Sequence, residues 1–402
     1  MDQDFCTRFH KILDEWYPRV AASGRRLSPL LLSCYQVPIA AKTLIWVQKT
    51  IAIFEKLAHL SLYRDGLPPP DPRLVTWTPG NRGALTSFDF HITPEGLPKL
   101  IEVNTNAAFG LLGEVLYAAH SLPLGIERKM SQQLRATFVR EVQSFVHPRA
   151  IKNVAIVDED PPRQNFYLEF LMYQDLFADL GWSAQIDDVA AFTYRGEQNQ
   201  LVHKASRTII DLVYNRYTDF YLQETPSREL REAYYHGAAV FTPHPREYWL
   251  LADKNRLAQL SQEHLLAELP IDAGDKEVLR QVIPKTLDKR SFVSAEDLWK
   301  RRKAYFLKPA TSHGAKAVYK GASISRKVLE QIWDSDFLAQ EVVPPTPFHP
   351  APDSVPFKFD LRCIAYAGEI QMLLARLYRG QLTNFKTPGG GLAAVIVNDE
   401  AQ

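Results

Sequence analysis

The chain has 402 residues, of which 46% are apolar and 23% are charged, and its formal net charge is +1. This composition is that of an ordinary globular protein, and a charge so close to zero gives no field that would draw nucleic acid or an anionic membrane towards it. Three scattered cysteines are too few for a disulfide framework or a zinc site.

These features favour a cytoplasmic protein of two or three subdomains. The first residues are charged and lack the apolar core of a signal peptide, and no apolar run reaches the roughly 20 residues of a membrane span without interruption. The one dense basic run, residues 299–303, is interpreted as the surface of a solvated helix rather than an RNA site. We therefore expect no nucleic acid and no membrane partner, and we leave a homodimer open.

The first 150 residues combine helices with one hairpin. Apolar patterns over residues 44–62, 111–122 and 129–146 predict three helices. Residues 87–109 predict two strands around a turn at 93–97, because this turn contains a proline that presets φ and a glycine that tolerates a positive φ.

The predicted hairpin carries a candidate metal site. On a strand, Asp89 shares a face with His91, and Glu102 shares a face with Asn104. A four-residue loop would put Asp89 opposite Glu102, with Cβ atoms roughly 5 Å apart. Two carboxylates facing each other favour a cation between them, and oxygen ligands of this kind suit Mg²⁺. The alternative is an amphipathic hairpin with a hydrated polar face.

Residues 154–214 predict a parallel, Rossmann-like βαβ unit, with strands at 154–157, 182–186 and 209–214 and a helix at 165–180. The first loop lacks the Gly-x-Gly-x-x-Gly signature, which argues against NAD. Parallel sheets bind ligands at the carboxyl ends of their strands. The ligand candidates there are Asp158, Arg163, Asn165, Asn215 and Arg216. Arg163 could instead be a solvated loop residue.

The third region resembles a phosphate-covering hairpin. A helix is predicted at 248–261, and strands at 305–310 and 317–319 flank a turn at 311–315. Lys308 and the backbone of that turn could contact phosphates. After a helix at 325–333, a strand at 337–343 carries Glu341, which could accept from a ribose hydroxyl. A plain strand with one exposed carboxylate is the alternative.

The final stretch predicts two paired strands, 357–365 and 369–378, joined by a turn at 366–368. Arg376 on the second strand could clamp a phosphoryl group. The triplet Gly389-Gly390-Gly391 allows backbone amides to approach an anion. No helix is predicted after it.

These pieces resemble ATP-grasp carboxylate–amine ligases. The matching order is residues 305–309, Gln340-Glu341, residues 360–362, Arg376, Asn384 and Gly389 to Gly391. The helix and the Asp…Glu-x-Asn pieces, which would usually follow the glycines, come first here. The chain therefore looks like a circularly permuted ATP-grasp protein, similar to eukaryotic-type glutathione synthetase and, more distantly, to glutathionylspermidine synthetase. Residues 100–111, LIEVNTNAAFGL, are the best local match to the former.

The resemblance implies a mixed α+β and α/β chain with a permuted ATP-grasp fold, an inserted Rossmann-like substrate domain and a lid. The implied divisions are 1–149 (core with the metal-binding hairpin), 150–245 (substrate domain), 246–345 (nucleotide-binding and lid subdomain) and 346–402 (second part of the core).

The resemblance also implies residue roles. Magnesium ligands would be Asp89, Glu102 and Asn104. ATP would be bound by Lys254, Lys308, His313, Gly314, Gln340 and Glu341. Groups near the transferred phosphoryl would be Arg376 and Asn384. Substrates would contact Arg163, Asn165, Arg216, Gly389, Gly390 and Gly391.

The implied activity is an ATP- and Mg²⁺-dependent ligase that forms an amide through an acyl phosphate. Glutathione synthetases have a richer glycine loop near His313 and Gly314, and a serine-rich segment where this chain has Asn106-Ala107-Ala108. We therefore expect a small-molecule or short-peptide carboxylate other than γ-glutamylcysteine, with an amine or amino-acid acceptor. A phosphotransferase and a degenerate ATP-binding module are the alternatives.

Overall fold

The structure is a computed structural model that describes residues 3–122, 130–310 and 318–399. His313, Gly314 and the predicted turn at 311–315 lie outside the described residues. The described helices are α1 (Gln3–Trp16), α2 (Pro18–Ser23), α3 (Ala41–Ala58), α4 (Ser61–Asp65), α5 (Arg73–Thr76), α6 (Gly110–Ala119), α7 (Met130–Ser144), α8 (Tyr167–Asp179), α9 (Arg228–Tyr235), α10 (Pro245–Glu247), α11 (Asn255–Leu260), α12 (Glu263–Glu268), α13 (Ala273–Val282), α14 (Ala295–Arg301) and α15 (Arg326–Trp333).

The described strands are β1 (Leu32–Ala40), β2 (Thr86–Ile92), β3 (Pro98–Asn104), β4 (Asn153–Asp158), β5 (Ser183–Asp188), β6 (Phe192–Arg195), β7 (Gln200–His203), β8 (Ile209–Ile210), β9 (Leu212–Asn215), β10 (Val240–Thr242), β11 (Thr286–Asp288), β12 (Tyr305–Pro309), β13 (Tyr319–Lys320), β14 (Phe337–Glu341), β15 (Pro347–Phe348), β16 (Phe357–Tyr366), β17 (Glu369–Tyr378) and β18 (Gly391–Asn398). The described helices include none that is both long and apolar enough to cross a bilayer.

The largest sheet joins the two ends of the chain. Its order is β1-β18-β17-β16-β2-β3, with β15 beside β16. Both predicted hairpins, β2–β3 and β16–β17, are confirmed. Strands β1 and β18 pair in parallel and were not predicted, because each finds its partner more than 300 residues away. Pro38 is tolerated in β1 because this strand lies at the sheet edge.

Helices cover both faces of the large sheet. Val47, Ile51, Phe54 and Leu57 recur at helical spacing on α3 and are buried against one face. Helices α1, α6, α7 and α8 share a second core on the other side. The predicted helix 44–62 is wrong in one respect, since the chain leaves the helix after Ala58 and forms the separate helix α4.

The second sheet, β10-β9-β4-β5, is parallel, which confirms the predicted βαβ pattern of β4, α8 and β5. The predicted strand 209–214 is interrupted at Asp211, which lies between the end of β8 and the start of β9. The Asp211 carboxylate accepts from the backbone N–H groups of Lys152 and Asn153, both at 2.9 Å. These bonds tie Asp211 to the start of β4.

The third sheet, β11-β14-β12-β13, is antiparallel and has its own small core with α14 and α15. The predicted helix 248–261 is instead a π-helical turn, Tyr248–Ala252, followed by α11. Asp253 separates the two parts, and its carboxylate accepts from the Asn255 backbone N–H (2.9 Å) at the start of α11. A side chain that bonds the following backbone in this way favours a break over a continuous helix.

Candidate active site

A β-bulge shapes the hairpin that carries the predicted metal ligands. The loop between β2 and β3 contains residues 93–97, one more than the four that the sequence argument assumed. A register shift at Ile101 compensates and places Asp89 opposite Glu102, as expected. Asn104 lies two residues beyond Glu102, so the two carboxylates and the amide lie on one face of the sheet.

Two arginines hold Asp89. Arg362 donates from Nε to Oδ1 (2.9 Å) and from Nη2 to Oδ2 (2.8 Å), and Arg376 donates from Nη2 to Oδ2 (2.9 Å). The Asp89 side chain is only 1% exposed. Burial by itself raises the pKa of this carboxyl, but Arg362 and Arg376 outweigh it and hold the pKa below its ordinary value. Asp89 is therefore an ionised carboxylate that positions two guanidinium groups.

Arg376 is shared between two buried carboxylates. Its Nε donates to Asp360 Oδ1 (2.5 Å), and Asp360 Oδ2 accepts from the Thr383 hydroxyl (2.6 Å). Burial would lower the pKa of Arg376, but Asp360 and Asp89 outweigh it and raise the pKa. Within the described ranges, its Nη1 has no hydrogen-bond acceptor, so one donor group of this arginine is left for a ligand.

Lys308 lies across a cleft from the hairpin. Its ammonium donates to Gln340 Oε1 (2.7 Å) and to the carbonyl of the bulged Ile101 (3.3 Å), which also accepts from Gln340 Nε2 (3.3 Å). Burial lowers the pKa of Lys308 to about 8, with Glu102 acting in the opposite direction and Lys254 lowering it further. The cleft is lined by Ile101, Glu102, Val103, Leu251, Ala252, Asp253, Lys254, Leu257, Thr286, Lys308, Leu338 and Gln340.

The structure therefore brings together four of the residues singled out from the sequence: Glu102, Lys254, Lys308 and Gln340. Glu341 is not among the lining residues. It is exposed at the end of β14, where its Oε2 accepts from the Lys285 backbone N–H (3.4 Å).

The predicted substrate residues on the parallel sheet separate into two groups. Arg216 is buried, and its Nη1 donates to the Ala107 carbonyl (2.8 Å), which ties the edge of the sheet to the segment after Asn104. Arg163 and Asn165 are exposed, and Arg163 pairs with Asp160 (3.3 Å) within its own 3₁₀ turn. The local partner of Arg163 matches the alternative of a solvated loop residue.

Asn384 forms its hydrogen bonds within its own loop, which follows Arg376 in the chain. Asn384 Nδ2 donates to the carbonyls of Arg379 (2.9 Å) and Leu382 (3.0 Å), and its Oδ1 accepts from the Lys386 backbone N–H (3.0 Å) and the Thr387 hydroxyl (3.1 Å). This side chain therefore determines the shape of the loop.

Close packing explains two of the glycines that follow this loop. Gly391 has φ +108°, and a Cβ there would lie 2.7 Å from the Leu31 backbone. A Cβ on Gly390 would lie 2.5 Å from the Leu377 carbonyl oxygen. Close packing between β1, β17 and β18 therefore accounts for glycine at these two positions.

The polar groups on the hairpin fit a magnesium ion. Asn104 Nδ2 points to Asp89 (3.5 Å), which leaves its Oδ1 as a ligand. Glu102 forms no ion pair with any described residue, although Lys308 is close enough for its charge to be felt. The described residues contain no cluster of three His, Cys, Asp or Glu side chains for a metal. Such a sparse set suits Mg²⁺, which commonly takes one or two carboxylates together with phosphate oxygens.

Sequence reasoning assigned no separate role to Arg362, Asp360 and Thr383. A signal for the first two was present, because Phe359, Leu361 and Cys363 alternate with them along β16. That alternation places Asp360 and Arg362 on one face, but only the pairing of β16 with β2 puts that face beside Asp89.

Comparison with known proteins gives the fold. No family model and no curated protein sequence matches the chain. A glutathione synthetase-like effector from Globodera pallida, solved in its apo form, is similar over 99% of this chain and 98% of its own, with 12% identity and a TM-score of 0.55.

Two other solved structures are less similar. A putative γ-glutamylcysteine synthetase from Methylobacillus flagellatus covers 86% of this chain and 85% of its own, at 12% identity and a TM-score of 0.49. The ATP-grasp ligase PsnB, complexed with a minimal precursor, Mg and ADP, covers 62% of this chain and 90% of its own, at 13% identity and a TM-score of 0.29. The similarity to the Globodera pallida effector confirms the resemblance expected from the sequence for the fold: the chain has a mixed α+β, glutathione synthetase-like fold.

Proposed function

We propose that the protein is an ATP- and Mg²⁺-dependent carboxylate–amine ligase that forms an amide bond through an acyl phosphate. The observation that carries this proposal is the shared cleft, in which Glu102 of the hairpin faces Lys308 of the third sheet and Lys254 at the start of α11. Acidic and amide oxygens on one side and ammonium groups on the other are what Mg·ATP requires.

Each side chain has a role that follows from its position. Of the three predicted magnesium ligands, Glu102 and Asn104 would hold Mg²⁺, which when bound neutralises phosphate charge, whereas both oxygens of Asp89 accept from Arg362 and Arg376. Lys308 is oriented by Gln340 and would contact a phosphate as a point charge. Arg376 would use its remaining Nη1 to stabilise the charge on the transferred phosphoryl group.

The remaining roles are proposals of the same kind. Lys254 and Glu341 would contact phosphate and ribose, and His313 and Gly314 would cover the nucleotide. Asn384 would hold the loop beside the phosphoryl group. Arg163, Asn165 and Arg216 would meet the carboxylate substrate, and Gly389 to Gly391 the amine.

We also propose that the fold is an ATP-grasp fold in circularly permuted order. The divisions 1–149, 150–245, 246–345 and 346–402 go with it, the second as an inserted substrate domain. The parallel pairing of β1 with β18 supports this order, because it joins the start and the end of the chain in one sheet.

Phosphate release from Mg·ATP, in a matrix of amino acids, short peptides and polyamines, tests the activity. A ligase releases ADP and phosphate only when carboxylate and amine are both present. A stable phosphorylated product would favour a phosphotransferase instead, and nucleotide binding without turnover would favour a degenerate module.

The Glu102→Ala variant tests the metal role. We expect turnover to fall by roughly 100-fold or more and Mg·ATP binding to weaken. Glu95→Ala is the matched control, because Glu95 is an exposed carboxylate in the turn of the same hairpin. Wild-type turnover in Glu102→Ala would refute the assignment.

A further inference from the structure

Hydrogen bonds between its own residues hold together the loop at residues 379–387. Besides the four hydrogen bonds of Asn384, the Thr387 hydroxyl accepts from the Arg379 backbone N–H (3.0 Å). These bonds run from one end of the loop to the other. The loop is therefore a preformed unit that can transmit a displacement from one of its sides to another.

One side of this loop reaches the buried charges of the large sheet. The Thr383 hydroxyl donates to Asp360 Oδ2 (2.6 Å), and the other oxygen of Asp360 accepts from Arg376 Nε (2.5 Å). Asp360 is only 2% exposed, so water cannot readily replace a lost partner. The orientation of Arg376 therefore depends on where the loop holds Thr383.

The opposite side of the loop reaches the parallel-sheet half. The Phe385 ring meets the Phe166 ring edge to face, with centroids 6.2 Å apart, and Phe166 meets Phe109 in the same way at 6.2 Å. Phe166 directly follows Asn165, one of the proposed substrate residues, and Phe109 directly precedes α6. The loop thus connects the substrate side of the molecule with the arginine on the phosphate side.

We propose that Thr383 is a positioning residue that orients Arg376 through Asp360 and so couples the substrate-side loop to the phosphoryl-transfer side of the site. The inference rests on the proposed function, because it assigns Arg376 to that reaction. The Thr383 hydroxyl touches no reacting atom; it acts by fixing a carboxylate that in turn fixes a guanidinium. Without this hydrogen bond, Asp360 would lose one of the two contacts that set its rotamer.

The test compares three variants of the full chain. Thr383→Val keeps the shape and removes the hydroxyl, Thr383→Ser restores the hydroxyl, and Thr76→Val removes an exposed threonine hydroxyl on α5, outside the loop. With the substrates found by the phosphate-release screen, we expect kcat to fall about tenfold or more in Thr383→Val, because a misplaced arginine loses its catalytic geometry. The KM for ATP should stay within about twofold of wild type, and Thr383→Ser should recover most of kcat.

A second measurement needs no turnover. In the wild-type protein the Arg376 Nε–H is held by Asp360, so its NMR signal, identified by its loss in Arg376→Lys, should exchange slowly with solvent. Exchange should accelerate in Thr383→Val and stay slow in Thr76→Val and Thr383→Ser.

The outcomes separate the two proposals. Equal kcat and equal exchange in Thr383→Val and wild type would overturn the positioning role, as would identical losses in Thr383→Val and Thr76→Val. If the wild-type protein turns over no substrate pair, the proposed function fails, and the exchange measurement alone decides whether Thr383 positions Arg376.

Discussion

Replacing Asp89 by asparagine removes the buried charge that holds two arginines. The carboxylate accepts three guanidinium N–H groups at 2.8–2.9 Å and is 1% exposed. Asparagine keeps the volume but offers only one acceptor oxygen and turns an N–H₂ towards positive charge. Breaking a buried ion pair from one side costs about 3–5 kcal/mol, so we expect Asp89→Asn to lower the free energy of unfolding by that amount at pH 7.

Urea unfolding measures this loss, and Asp179→Asn provides the control. Asp179 also pairs with an arginine, Arg135 (2.9 Å), but its side chain is 63% exposed. Exposed pairs contribute about 0–1 kcal/mol, so the control should lose no more than that.

The pH dependence gives a second check on Asp89. Because the pKa of Asp89 is lowered in the folded protein, its contribution is complete above the unfolded pKa of about 4 and is lost as pH falls through the folded value. The difference between wild type and Asp89→Asn should therefore shrink below about pH 4. A loss under about 1 kcal/mol at neutral pH, equal to that of the control, would show that the two arginines do not depend on Asp89.

Three further predictions concern other parts of the site and its support. Since burial lowers the pKa of Lys308 to about 8, nucleotide affinity measured by calorimetry should fall as pH rises above about 8, and Lys308→Ala should bind weakly at every pH; unchanged affinity in Lys308→Ala would contradict its role. Gly391→Ala should lower the unfolding free energy by about 3 kcal/mol or more because of its φ and the nearby backbone, whereas Gly24→Ala, at φ +64° with open space around it, should cost only about 1 kcal/mol; similar losses would refute the packing argument. Glu169→Ala should cost at least about 2 kcal/mol in chemical denaturation, because this buried carboxylate accepts from the backbone N–H groups of Phe109, Leu111 and Leu112 around the start of α6; wild-type stability would show that the cap is dispensable.

The local part of the site could be predicted from the sequence. A turn with a proline and a glycine, flanked by alternating strands, is enough to place Asp89 opposite Glu102, because hairpin pairing depends on a few neighbouring residues. The βαβ pattern likewise depends on apolar periodicity within about 60 residues. The sequence argument predicted this pair from a four-residue loop, but the loop has five residues. The pair forms because the bulge at Ile101 shifts the register back by one residue.

The charge network could not be predicted, because its members come together only in three dimensions. Arg362 and Arg376 lie 273 and 287 residues from Asp89 along the chain. Arg362 lies on β16, which pairs with β2, and Arg376 lies on β17, which pairs with β16. The pairing of β16 with β2 depends on the whole core rather than on any local signal. For the same reason the exposure of Glu341 and the internal role of Asn384 were visible only in the folded chain.

The sequence by itself determined which residues could carry charge into a site and which strands could form hairpins, because side-chain alternation and turn chemistry act over short distances. The tertiary structure alone decided that carboxylates early in the chain meet arginines and lysines late in it. It also decided that the Ile101 carbonyl accepts a hydrogen bond from the Lys308 ammonium and that β1 pairs with β18. These contacts join segments hundreds of residues apart, and their geometry is set by the packing of helices on both faces of the large sheet.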